Sequence, residues 1–121
     1  MNPRQEYKKL KNSFKYAIEG FISSFKTERN MKIHVFAAIL VVIIGIILKL
    51  SVIEWAIFII LIGLVISAEL FNTAIETIVD MICPERNDNA KLVKDISAAA
   101  VLVMAICSAI IGIMVIYTHL K

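Results

Sequence analysis

Glycine and proline are scarce, four and two among 121 residues, so little interrupts long helices and a membrane barrel would lack residues for its many turns. Cysteine supplies no framework either. Cys83 falls at the end of one apolar run and Cys107 midway through another, neither with metal-ligand spacing, and no disulfide is expected between them if Cys83 faces a reducing cytoplasm. The chain has no GxxxxGK[ST] loop and no Gly-rich loop of the protein-kinase type, so any nucleotide is held without either phosphate cradle. No internal repeat and no low-complexity segment is present. The first long apolar run starts only near Ile33, exceeds the length of a signal-peptide core and has no small-residue cleavage site behind it. The basic N-terminus is therefore expected to stay on the protein.

What the chain has in excess is apolar residues. A hydrophobic content of 60% and a mean hydropathy of +0.83 place it in the membrane class. Its length fits a single domain, residues 1–121. The net charge of +3 conceals an asymmetry, because residues 1–32 carry eight of the thirteen lysines and arginines. No nucleic-acid partner is expected.

Residues 4–27 read as an amphipathic surface helix. Tyr7, Leu10, Phe14, Ile18, Phe21 and Phe25 recur at spacings of three and four and form one apolar face. Lys8, Asn12, Lys15, Glu19 and Lys26 take the opposite side, an arrangement suited to the headgroup plane of an anionic bilayer. A soluble helix packed on a partner has the same pattern. Three apolar spans follow, over 31–50, 52–82 and 96–117, with Lys49-Leu50-Ser51 as a short turn and Glu85 to Asp95 as a polar loop. Basic residues flank the N-terminal side and the second loop, while the far side has only Lys49 and Lys121. The expected fold is thus all-α, a surface helix plus three transmembrane helices, with the N-terminus in the cytoplasm and the C-terminus outside.

The second span contains what a membrane helix should lack. Glu69, Asn72, Glu76 and Asp80 follow at spacings of three, four and four, which confines them to an arc of roughly 80° at about 100° per residue. Carboxylates in a membrane helix are costly and mark function by default, although acids satisfied by neighbouring helices as structural glue are the plainer alternative. The span outruns the hydrocarbon core, so Glu69 is expected just inside the inner leaflet, Glu76 near the headgroups and Asp80 in water.

At that same interface the sequence gathers Glu28, Lys94 and Asp95. Glu28 and Glu76, from different helices, suit a hard cation such as Mg²⁺ whose shell is completed by phosphate oxygens. Lys94 is a cation fit to neutralise phosphate, and Glu69 is placed to take a proton from a hydroxyl lying in the membrane. Together they read as a phosphoryl-transfer site at the water–lipid boundary. The same acids would suit a proton-coupled transporter, with Glu69 and Glu76 as a relay, and a non-catalytic scaffold is a third class. His34 is a ligand, a titrating group or, as the plainer reading, merely a solvated interfacial histidine.

The string from Ala68 to Asp80, AELFNTAIETIVD, followed by Lys94-Asp95, resembles the E-x-x-N-[ST]-A-I-E-x-x-x-D signature of the small prokaryotic diacylglycerol kinase family. The stretch from Glu28 to His34 looks like the Gram-positive branch, whose members favour undecaprenol over diacylglycerol. The resemblance spans almost the whole chain. It implies an ATP-dependent homotrimeric membrane kinase with active sites shared between subunits, making undecaprenyl phosphate or, as the runner-up, phosphatidate. By that similarity Glu69 is the general base on the lipid hydroxyl, Asn72 orients the reacting groups, and Glu28 and Glu76 bind the Mg²⁺ of Mg-ATP. Lys94 and Asp95 contact the nucleotide with Tyr16, Glu85, Arg86 and Asn87, and Asp80 joins the site. Lys9 stands where Gram-negative members carry arginine, keeping the charge but losing the planar fork. Ile33, His34 and Ala98 also depart from the polar residues of that branch, on the lipid side of the site.

Overall fold

The computed structural model describes residues 1–121 as four helices: α1 (Pro3–Thr27), α2 (Arg29–Leu48), α3 (Val52–Ile82) and α4 (Asp88–Leu120). Of 101 backbone hydrogen bonds, 93 lie within these helices, so the apolar stretches need almost no outside partner for their main chain, as a bilayer demands. α2, α3 and α4 are each long and apolar enough to cross a membrane.

Local chemistry explains the boundaries. Asn2 caps α1, accepting from Gln5 N at 2.9 Å while the Gln5 side chain accepts from Asn2 N, with Pro3 in the first turn. A single extended residue, Glu28 (φ −108°, ψ 118°), separates α1 from α2. The elbow between the two helices therefore carries a carboxylate, half-buried beside the fully buried Met31. At the other end of α2, Lys49 adopts a left-handed conformation (φ 56°) and Leu50 N donates to Gly45 O at 3.2 Å, closing the helix as a left-handed cap does. The turn is tight enough that a Cβ on Gly45 would lie 2.7 Å from Trp55 Cη2 and 3.0 Å from Leu50 Cδ1, so glycine is what lets α2 approach the start of α3. Ser51 and Glu54 form a second capping box, and Cys83 ends α3 just ahead of Pro84.

The surface helix expected over 4–27 begins one residue earlier, and the first span, expected over 31–50, runs instead from Arg29 to Leu48. The larger correction concerns Glu85 to Asp95, which is not a loop throughout. Asn87 Oδ1 accepts from Asn89 N and Ala90 N at 2.8 and 3.1 Å, so α4 starts at Asp88 and absorbs the charged run into its first two turns. Lys91 and Asp95 pair at 2.6 Å across one turn of it. Mixed charge at that spacing is a solvated helix face.

α3 and α4 form the most extensive helix pair and are clasped at both ends. Lys94 Nζ meets Asp80 Oδ1 at 2.5 Å, and His119 Nε2 lies 2.9 Å from both Glu54 oxygens. The two clasps are separated by 26 residues on α3 and 25 on α4, about 38 Å of helix. That exceeds a hydrocarbon core of about 30 Å, so both pairs sit where water can solvate them and together set the register of the antiparallel helices. Only Met31, Leu50, Phe58 and Val101 are buried apolar residues. One copy thus has scarcely any core of its own in water; its apolar faces need lipid or further protein.

Candidate functional site

α3 delivers the polar row as a gradient of burial. Glu69 is 1% exposed and Asn72 3%, Glu76 is half-buried, and the Asp80 side chain is 63% exposed. Asn72 Nδ2 donates to Glu76 Oε1 at 3.3 Å, one turn along the helix. Glu69 Oε2 and Asn72 Oδ1 are buried without any hydrogen-bond partner. Buried polar atoms left unpaired in a native structure call for an explanation, and two on adjacent turns of one helix face point to something that binds there.

Glu28, from the elbow, and Glu76 are both near enough for their charges to act on Glu69. No three Asp, Glu, His or Cys side chains gather as a ready-made metal cage. A Mg²⁺ ion takes one or two carboxylates from a protein and its remaining ligands from substrate phosphate and water. The hard oxygens of Glu28 and Glu76 fit such an ion.

Lys94 lies at this end of the molecule, held by Asp80. Asp95, by contrast, is exposed and engaged with Lys91. Glu85 and Arg86 are exposed, and the side-chain oxygen of Asn87 is occupied in capping α4. Lys9 and Tyr16 are exposed on α1, about 28 and 18 Å of helix before Glu28. Within one chain, then, Glu69, Asn72 and Glu76 share one face of α3 and Lys94 joins Asp80, with Glu28 on the elbow, while Lys9 and Tyr16 stand apart.

Two features were not assigned from the sequence. His34, on α2, places Nε2 at 3.9 Å from Glu69 Oε2; its signal was an imidazole at the end of the polar stretch that opens that helix. Ser24, on α1, is buried with an unpartnered hydroxyl, and nothing in its local sequence marks it. A cavity of about 240 Å³ is lined by Asn30, Ile33, His34, Glu69, Asn72 and Ala98 among others. Through His34 and Ala105 it adjoins an apolar groove of about 330 Å³ between α2, α3 and α4, walled by residues such as Ala38, Phe58, Ala109 and Gly112. The apolar groove thus adjoins a cavity that holds a buried carboxylate with one unpartnered oxygen.

A sequence model of the prokaryotic diacylglycerol kinase family matches residues 15–116. The chain is 44% identical to the undecaprenol kinase of Bacillus subtilis over 93% of its own length and 91% of that protein. It is 39% identical to a diacylglycerol kinase of Synechocystis over 83% of the chain and 58% of that protein. With the diacylglycerol kinase of Haemophilus influenzae the identity is 36%, over 86% of each.

Proposed function

Because the chain belongs to the prokaryotic diacylglycerol kinase family and is a multi-pass membrane lipid kinase, we propose that it transfers the γ-phosphoryl group of ATP to undecaprenol at the cytoplasmic face. The observation that carries this reading is the buried Glu69 carboxylate, with one oxygen unpartnered, in a cavity that adjoins the apolar groove through His34 and Ala105. A lipid alcohol has that shape, a long apolar body with one polar end. The similarity to an undecaprenol kinase over nearly the full length favours undecaprenol, and the diacylglycerol kinases among the relatives keep diacylglycerol as the second reading.

In this account the alcohol enters sideways from the inner leaflet with its hydroxyl at Glu69. The Glu69 carboxylate accepts the hydroxyl proton as the oxygen attacks the γ-phosphorus in line, and the bond to ADP breaks. Lys94, steadied by Asp80, lies against the phosphate charge that grows in the transition state, where most catalysis of this reaction resides. Asn72, whose amide nitrogen is committed to Glu76, has its free oxygen to orient the reacting groups. Glu28 and Glu76 would hold Mg²⁺, which when bound neutralises and aligns the nucleotide phosphates. Asp95, Glu85, Arg86 and Asn87 flank the nucleotide from the α3–α4 connection.

Lys9 and Tyr16 are too far along α1 to serve the same chain's acids readily. They suit a nucleotide held by a neighbouring copy, as in a homotrimer with shared sites. The exposed apolar side chains of Tyr7, Leu10, Phe14 and Ile18 suit α1 to lie in the headgroup plane. The basic flanks of the N-terminus and second loop support an orientation with both in the cytoplasm and the C-terminus outside. A transporter would need sealed vesicles and a proton gradient, whereas this kinase needs neither. In detergent–lipid micelles with γ-labelled Mg-ATP, label is expected in the lipid in equal amount to the ADP formed. Label released only as inorganic phosphate, or no reaction in folded protein, would overturn the reading.

A further inference from the structure

The unpaired oxygen of Glu69 faces a second polar atom across a gap. His34 Nε2 and Glu69 Oε2 are 3.9 Å apart, too far for a hydrogen bond to each other, and a polar separation beyond about 3.5 Å calls for a third group between them. An oxygen about 2.8 Å from each atom, an ordinary hydrogen-bond length, spans that gap at an angle of roughly 90°. His34 is also one of two residues that line both the polar cavity and the apolar groove. A hydroxyl at the end of a hydrocarbon chain lying in the groove must pass this point. The two helices bring unlike chemistry to it: α3 supplies an acceptor, and α2 supplies a ring nitrogen able to donate.

We infer that His34 is the second arm of the acceptor site, with the lipid hydroxyl oxygen held between His34 Nε2 and Glu69 Oε2. This rests on the assignment of Glu69 as the base. Neutral His34, with its proton on Nε2, donates to one lone pair of the alcohol oxygen while the alcohol O–H donates to Glu69. That leaves the second lone pair directed to the phosphorus. In the reaction the O–H bond breaks and its proton passes to Glu69, the O–P bond forms, and the bridging P–O electrons leave with ADP. His34 keeps its proton throughout. It orients the nucleophile at the boundary between groove and cavity, and so recognises a lipid by its hydroxyl rather than by its tail. Gripping an alcohol from both sides lowers the entropy of attack, and a misplacement of about 1 Å at such a site can cost a hundredfold in rate.

The test compares His34→Leu, His34→Gln and Glu69→Gln in the full-length protein with undecaprenol and Mg-ATP. His34→Leu is expected to lower kcat about 10²-fold while leaving the KM for Mg-ATP within about twofold of wild type. His34→Gln restores a donor near the Nε2 position and is expected to recover at least about tenfold of that loss. A rate for His34→Leu within about threefold of wild type, with Glu69→Gln inactive, overturns this inference and leaves the base assignment standing. Full activity in Glu69→Gln removes both. Equal loss in His34→Leu and His34→Gln also overturns the hydrogen-bonding role. A measurement on wild-type protein is independent of how the variants fold. The ring ¹⁵N resonance of His34 is expected to move when undecaprenol is added without nucleotide and to stay in place with squalene, a hydrocarbon lacking the hydroxyl. A resonance that responds to both alike, or to neither, contradicts the contact.

Discussion

Glu69→Gln is expected to lower phosphoryl transfer to lipid by 10²–10⁴-fold, about 3–5 kcal/mol of transition-state stabilisation, the usual worth of a positioned general base. The amide matches the carboxyl in size, so the packing around a residue only 1% exposed is preserved. What disappears is the ability to take a proton. The same substitution removes an ionisable group that is buried with one oxygen unpartnered, and such burial is costly unless the group is paired. Thermal stability should therefore be unchanged or higher while activity falls. Those opposite movements distinguish a functional carboxylate from structural glue, whose removal would lower stability first. Nucleotide affinity should stay at the wild-type value, because Glu69 faces the lipid side. A variant retaining near wild-type turnover would exclude Glu69 as the base.

Glu76→Gln should act on the other substrate. Glu76 is half-buried, accepts from Asn72 at 3.3 Å and sits one helical turn nearer the C-terminal end of α3. In the proposed site it would supply, with Glu28, the two carboxylates that Mg²⁺ takes from a protein when phosphate completes its shell. Removing one is expected to raise the KM for Mg-ATP and the half-saturating Mg²⁺ concentration by about tenfold or more, at least about 1.4 kcal/mol. The KM for the lipid should change little. Glu28→Gln should behave alike, from a different helix. Titrating Mg²⁺ at constant ATP measures both, and an unchanged midpoint in either variant would contradict its role at the metal. The contrast with Glu69→Gln separates the aqueous half of the site from the lipid half.

Much of the helical architecture was readable because its signals are local. The apolar lengths gave three helices able to span, Cys83-Pro84 ended the second, and the period of Glu69, Asn72, Glu76 and Asp80 put them on one face; their burial follows the same order. Elsewhere, local and long-range information competed. Charge density made 85–95 read as a loop, yet an Asn87 cap and a Lys91–Asp95 pair make most of it helix. The clasp of Glu54 with His119 joins residues 65 apart, which no periodicity reveals. His34 was visible only as a histidine at an interface, and its meaning depends on where α2 leans against α3. The same holds for Ser24, which is buried near the end of α1. Lys9 and Tyr16 belong to a third category, since their proposed partner is another copy of the chain.

The measurement that bears most directly on the account is competitive transfer of γ-labelled phosphate from Mg-ATP to undecaprenol and diacylglycerol offered together in mixed micelles. Glu69→Gln serves as the control. Label predominantly in undecaprenyl phosphate, and none in either lipid with the variant, is the predicted result. Predominant labelling of diacylglycerol would contradict the proposed substrate while leaving the acid row as the site of transfer. Equal labelling by wild type and variant would contradict the site itself.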